Sequence, residues 1–397
     1  MKIERKTIGI IGAFNHPNFG DQLLFNILHG WIKDTYPGLI VRVPWGDPKG
    51  IQWPDDVLVG GGLKELLRCN VVVFGGGGYF GEPGISAIRG PNQYTRLDNI
   101  GMAMHLPKSF GGVYFGPKGY LRAETIRFIK YGLISKLLSI KKIPYCIIGT
   151  GLGPVTTCLG RWGVGSTLKG AEYVSLRDSE SIKYAKAISP GLTIEECADI
   201  VLCNSVSINF EKINDINKVA LHLGPKIERH LSIEFLMKII NDIRSMGLHV
   251  GLVSDCKPPE EGKISVFEKI YEMFGKEVEY IPYSGVDNFV KTLEKFDAVI
   301  TTKLHSGILG YSKCVFPISV AEHVKTKRFY KQVGLETYCF ELSEKGFGDA
   351  LNGLQKIKSS PISAMESLNA NRRKINFLAL NNKSVLIDFI NSHFVSR

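Results

Sequence analysis

Between Ala298 and Gly310 the chain reads AVITTKLHSGILG. An apolar strand runs into two threonines, and Lys303, Leu304, His305, Ser306 and Gly307 follow just as helical spacing begins. A strand-to-helix turn needs only a cap and a glycine. This one adds an ammonium and an imidazole at the C-terminal end of a strand, where open α/β sheets hold their ligands. A cation, a titratable ring and helix N–H groups converging on one point suit an anionic substrate that needs a proton transferred. An isolated histidine is more often a satisfied core residue; here Lys303 and Ser306 beside it shift the reading towards chemistry.

Three further stretches could serve a site. In GAFNHPNFGDQLLF (12–25), Asn15, Asn18, Gly20 and Asp21 stand at a strand-to-helix turn that is either an anion-binding loop or a plain turn capped by Asp21. FGGGGYFGEPG (74–84) has four consecutive glycines, Gly76 and Gly77 among them, at a backbone-entropy cost of roughly 0.5–1 kcal/mol each relative to alanine. Such a run implies that a ligand or another backbone comes close, and GTGLGP (149–154), with Gly151, repeats the theme. Neither run has the GxGxxG spacing with a following acid, or the GK[ST] ending, of nucleotide loops. In SLRDSES (175–181), Arg177 can hold a carboxylate or phosphate bidentately, and Asp178 can cap the next helix or hold the guanidinium. The alternative is a structural Arg–Asp pair. AEHVKTKRFYKQVGL (321–335) adds His323, Lys325, Lys327, Arg328 and Lys331, read mostly as a solvated basic face. No HExxH or CxxC spacing points to a metal, and no GxSxG elbow to a serine nucleophile.

The elements that position these residues follow from hydrophobic period. The 397 residues are 44% hydrophobic and 22% charged, a soluble globular composition long enough for two domains. Apolar strands alternate with amphipathic helices throughout, which implies parallel sheets with right-handed crossovers. The pattern restarts near residue 215. We expect an α/β chain of two Rossmann-like domains facing across a cleft, residues 1–210 and 211–345, with a C-terminal helical segment at 346–397. The net charge of +11 reflects a solvated basic surface or an anionic partner; no motif supports nucleic acid. Eight scattered cysteines and a first apolar run too short for a signal peptide fit a cytoplasmic protein. GYLRAETIRFIKYGLISKLLSIKK (119–142) is basic and amphipathic, so it either lies on an anionic membrane or packs on the sheet with its lysines solvated.

In order and spacing, N-x-x-N-x-G-D (15–21), F-G-G-G (74–77), G-x-G-x-G-P (149–154), S-x-R-D-x-x-S (175–181), A-D-x-V (198–201) and T-x-K-L-H-S (301–306) resemble bacterial polysaccharide pyruvyl transferases. The resemblance covers roughly residues 8 to 340. It implies a GT-B glycosyltransferase-like fold and transfer of pyruvate from phosphoenolpyruvate to two hydroxyls of one sugar, giving a cyclic ketal and phosphate. It implies His305 as general acid and Arg177 as a donor ligand, with Lys303 where the family carries arginine. Lysine keeps the charge and gives up the bidentate fork.

Taken together, the expected catalytic residues are His305, Asp21 and Asp178. The expected substrate-binding residues are Arg177, Lys303, Leu304, Ser306, Asn18, Gly20, Gly76, Gly77 and Gly151. No metal or cofactor is expected beyond the donor phosphoenolpyruvate. The expected acceptor is a sugar on a lipid-linked oligosaccharide at the inner membrane face, and both peripheral membrane association and a homo-oligomer are compatible with this reading. A nucleotide-sugar-dependent glycosyltransferase and a non-catalytic sugar-binding subunit are the alternatives.

Overall fold

A computed structural model describes residues 6–14, 18–49, 51–75, 80, 117–155, 158–205, 215–224, 227–256, 265–321 and 323–394, with the backbone alone at 117–126 and 204. Gly76 and Gly77, and most of the loop 82–120, lie outside the described residues. The chain divides into two compact units. One comprises Met1–His16, Leu24–Ile200 and Leu378–Arg397, the other Pro17–Leu23 and Val201–Phe377. The short Pro17–Leu23 stretch therefore belongs with the C-terminal half of the chain, and the stretch 346–397 is shared between the two units.

The first unit is built on β1 (Thr7–Ile11), β2 (Ile40–Val43), β3 (Val57–Val59), β4 (Val71–Gly75), β5 (Tyr145–Thr150), β6 (Tyr173–Leu176) and β7 (Glu195–Glu196), in the order β3-β2-β1-β4-β5-β6-β7. Every pairing is parallel. β1, β4 and β5 are buried along their whole length, as unbroken apolar runs must be when helices cover both sheet faces. Crossovers include α1 (Phe19–Thr35), α2 (Pro117–Ile140), α3 (Cys158–Gly170) and α4 (Ser179–Ile188). The basic segment at 119–142 is largely α2, and it packs on the sheet through Phe128, Tyr131, Ile134 and Leu138.

The second unit holds β8 (Lys218–His222), β9 (His249–Val253), β10 (Glu279–Ile281), β11 (Ala298–Thr301), β12 (Phe316–Ala321) and β13 (Cys339–Glu341), ordered β10-β9-β8-β11-β12-β13 and again parallel. Its helices are α5 (Ile233–Ser245), α6 (Val266–Phe274), α7 (Val286–Leu293), α8 (Leu304–Ser312) and α9 (Val324–Val333). Ser232 caps α5, and Ser265 with Glu268 forms a reciprocal capping box on α6, so short polar residues set these helix starts. α10 (Glu344–Ser359), α11 (Pro361–Asn369) and α12 (Arg372–Phe394) follow, with the boundary between units falling inside α12. Strand order reverses direction between β1 and β4 in the first sheet and between β8 and β11 in the second. At these switch points the strand ends diverge and leave room for a ligand. Among the described residues no helix is long and apolar enough to cross a membrane.

Candidate active site

The C-terminal ends of β9, β8 and β11 lie side by side in the second unit and deliver Asp255, His222 and Lys303. His222 pairs in register with Thr301, and its Nδ1 lies 2.8 Å from the Thr301 hydroxyl. Its Nε2 is 3.6 Å from one Asp255 oxygen, while the Lys303 ammonium is 3.3 Å from the other. His222 is fully buried and Asp255 nearly so, whereas the Lys303 side chain keeps 35% of its surface. Burial alone would raise the Asp255 pKa. The attraction of His222 and Lys303 outweighs it and holds the carboxyl well below its ordinary value. Asp255, with His222 beside it, thus forms a carboxylate support behind a partly exposed cation.

Lys303 takes the N-cap position of α8 and cannot accept a hydrogen bond from the helix, and no side chain caps this end. The start of α8 thus sets backbone N–H groups, which favour anions, beside a positive charge. The backbone around them is held tightly. The Lys303 amide donates to the Thr301 hydroxyl at 3.0 Å, and the Gly224 amide donates to the Thr302 hydroxyl at 2.8 Å. Leu304 and Ser306 are buried. His305 is half-buried.

The ring of His305 lies against Gly20. A methyl group built there would fall 1.9 Å from the imidazole Nδ1, so only glycine fits. The start of α1 comes to this place through Phe19, whose ring centroid is 4.2 Å from Phe289 and 6.5 Å from Tyr283. The Tyr283 hydroxyl donates to Gln22 at 3.2 Å. Asn18 sets the helix start, its side-chain oxygen accepting from the Gly20 amide at 3.0 Å. Asp21 falls in the first turn as a half-buried carboxylate.

Arg177, Asp178 and Gly151 belong to the first unit. The Arg177 guanidinium is buried, 3.1 Å from Asp199 and 3.9 Å from Asp178. Asp178 caps α4, accepting from the Ser181 amide at 2.7 Å and its hydroxyl at 2.9 Å. A methyl on Gly151 would meet the guanidinium at 2.8 Å, so this glycine, like Gly20, yields space to one of the protein's own side chains. The buried Asn382 of α12 accepts from Ser175 at 2.8 Å and donates to the Ala198 carbonyl at 2.9 Å, bracing the strand ends that carry Arg177 and Asp199. Of the basic run at 321–335, Lys327 pairs with Glu341 at 2.8 Å.

His222, Asp255 and Asn382 have no neighbouring motif that would single them out; for Asp199 the A-D-x-V segment was a signal without an assigned role. Among the described residues no group of three or more His, Cys, Asp or Glu could hold a metal ion.

Over residues 18–323 the sequence matches the model of one family, polysaccharide pyruvyl transferase. The chain belongs to that family. The matched span contains Gly20, Arg177, Asp255, Lys303 and His305 of this polysaccharide pyruvyl transferase family member. No curated protein matches it in a sequence search. Among solved structures it is similar to a putative UDP-N-acetylglucosamine 2-epimerase from Listeria monocytogenes, at 8% identity and TM-score 0.54, covering 99% of this chain and 98% of that one. It is also similar to Phytolacca americana UGT2 complexed with UDP-2-fluoro-glucose and pterostilbene, at 9% identity and TM-score 0.52, covering 99% and 100%. These neighbours are GT-B glycosyltransferases and epimerases, and at such identities they establish the fold alone. The expected two-Rossmann, GT-B-like architecture is therefore borne out.

The Gly20–His305 contact gives a direct test in this pyruvyl transferase. Gly20→Ala forces the imidazole off its position, and a displacement of about 1 Å can cost on the order of a hundredfold in rate. We expect the variant to keep its circular dichroism spectrum and lose transfer activity. Parental activity in the variant would show that the ring position is immaterial.

Proposed function

We propose that the protein transfers pyruvate from phosphoenolpyruvate to two hydroxyls of one sugar in a polysaccharide or lipid-linked precursor, forming a cyclic ketal and releasing phosphate. The observation that carries this reading is the start of α8, an uncapped helix N-terminus flanked by the Lys303 ammonium and the His305 imidazole. Phosphoenolpyruvate is a small, highly charged anion. Lys303 and the helix amides match its phosphate or carboxylate, and Arg177 is the further donor ligand that the family resemblance implies.

In the proposed reaction His305 gives a proton to the donor methylene carbon, and the adjacent carbon gains oxocarbenium character. A sugar hydroxyl adds there and loses its proton. The carbon–oxygen bond to phosphate then breaks, and the second hydroxyl forms the second carbon–oxygen bond. Two hydroxyl protons are released in all: one replaces the proton that the methyl group took up, the other leaves with phosphate. Charge on the departing phosphate is stabilised by Lys303 and the α8 amides, so the chemistry as written calls for no cofactor. Asp21, in the same unit as His305, is the carboxylate we assign to accept a hydroxyl proton; Asp178 is occupied as a helix cap.

The test is thermal unfolding with phosphoenolpyruvate and, separately, with UDP-glucose, on the parent and on Lys303→Ala. A ligand at about a hundred times its dissociation constant stabilises by roughly 2.7 kcal/mol, which is a shift of a few degrees. We expect phosphoenolpyruvate to raise the parent's Tm and to leave Lys303→Ala unmoved. A shift with UDP-glucose alone would replace this reading with a nucleotide-sugar glycosyltransferase.

A further inference from the structure

In the first unit α2 and α3 pack side by side, and their crossing is unusually close. A methyl on Gly132 would fall 2.7 Å from the Gly163 Cα, and one on Gly163 would fall 2.1 Å from the Phe128 carbonyl oxygen. The inward side of α2 is spent on the core through Phe128, Tyr131, Ile134 and Leu138. What remains outward is not a polar face. Leu133 is 57% exposed, Ile140 76%, Leu159 45% and Trp162 44%. Along α2 the apolar pair and Lys136 follow at positions 133, 136 and 140; along α3 Leu159, Trp162 and Lys169 follow at 159, 162 and 169. Each set lies on one helical stripe.

A groove of about 490 Å³ runs between the helices, lined among others by Lys136, Ser139, Arg161, Trp162, Ser166 and Lys169. Arg161 is anchored by a hydrogen bond to the Ala187 carbonyl at 3.3 Å. The local charge is one-sided. Residues 125–171 contain seven basic side chains (Arg127, Lys130, Lys136, Lys141, Lys142, Arg161 and Lys169) and no Asp or Glu. That is +7 of the chain's net +11 in one stretch.

Cations alone would suit any polyanion. Exposed leucine, isoleucine and tryptophan interleaved with them suit a bilayer interface, where apolar groups enter the acyl boundary and basic groups reach headgroup phosphates. We propose that the α2–α3 face docks on an anionic phospholipid surface, with a headgroup phosphate seated in the groove among Lys136, Arg161 and Lys169. Docking there would hold the enzyme where lipid-carried sugars are found. It is independent of the donor assignment, since vesicle binding needs neither Lys303 nor His305.

The experiment is co-sedimentation of the full chain with phosphatidylcholine vesicles and with vesicles containing about a quarter phosphatidylglycerol, at low salt. Each basic residue near an anionic surface changes partitioning by roughly fivefold. We expect the parent to favour the anionic vesicles at least tenfold, and Lys136→Gln/Arg161→Gln/Lys169→Gln to lose that preference while its Tm stays near the parent's. Lys276→Gln/Lys291→Gln/Lys295→Gln removes the same charge from the second unit and should bind as the parent does. A Trp162→Phe variant should lack the part of the fluorescence blue shift that vesicles induce in the parent. Equal partitioning to both vesicles, equal losses in the two triple variants, or displacement by excess glycerol 3-phosphate would each overturn the proposal. The last result would mean a soluble phosphate site instead.

Discussion

His305→Ala should reduce pyruvyl transfer by about 10²–10⁴-fold while the protein still binds phosphoenolpyruvate. The expectation follows from the proposed role. A positioned acid supplies a proton in the transition state, whereas the charge that holds the donor resides on Lys303 and the α8 amides. Removing the ring should therefore lower kcat much more than it raises KM. The imidazole packs against Gly20, so its loss leaves space beside the helix start, and the fold should survive. The measurement is steady-state phosphate release with an acceptor, paired with a thermal shift on phosphoenolpyruvate. An intact rate would remove His305 from the chemistry. Loss of donor binding with an unchanged kcat would make it a ligand and not an acid.

Asp255→Asn should destabilise the second unit by about 3 kcal/mol at neutral pH and weaken donor binding as well. Asp255 is 5% exposed and faces both His222 and Lys303, so the substitution leaves a partly buried ammonium without its counter-charge. The pH dependence has a definite sign. The folded carboxyl is depressed below its unfolded value of about 3.9, so its stabilisation is complete above that pH and is lost as pH falls towards the folded value. Urea unfolding of the parent and Asp255→Asn should therefore show a constant gap from pH 8 to pH 5 that narrows below about pH 4. A gap that grows on acidification would mean that Asp255 is not the ionised partner. If the variant matches the parent in stability throughout, Lys303 is positioned by its backbone alone.

Much of this site is local in the chain, and for that reason it can be read from sequence. Lys303, Leu304, His305 and Ser306 span a single strand-to-helix turn, so an apolar strand followed by helical spacing is enough to put a cation and an imidazole at one helix end. Arg177 and Asp178 are legible for the same reason, and the cap role of Asp178 was one of its two sequence readings. The glycines misdirect in a consistent way. Gly20 and Gly151 signal close approach, which is correct, yet what approaches is His305 in one case and Arg177 in the other. A backbone that must come close to something looks the same in sequence whether the neighbour is a ligand or a side chain.

What the sequence determined by itself is the alternation of buried strands and amphipathic helices, the restart that implies a second sheet, and the motifs that place the chain in its family. These are set by period and by short-range spacing. The partners of each motif were decided only by tertiary structure. His222 and Asp255 stand next to Lys303 because β8 pairs between β9 and β11, and parallel neighbours far apart in the chain carry no mark of each other. Pro17–Leu23 joins the second unit because Phe19 finds Tyr283 and Phe289 there, although its spacing matches any first turn of a first helix. Hydrophobic periodicity specifies which face of an element is buried. It does not specify what that face is buried against, and this site is assembled from such long-range contacts.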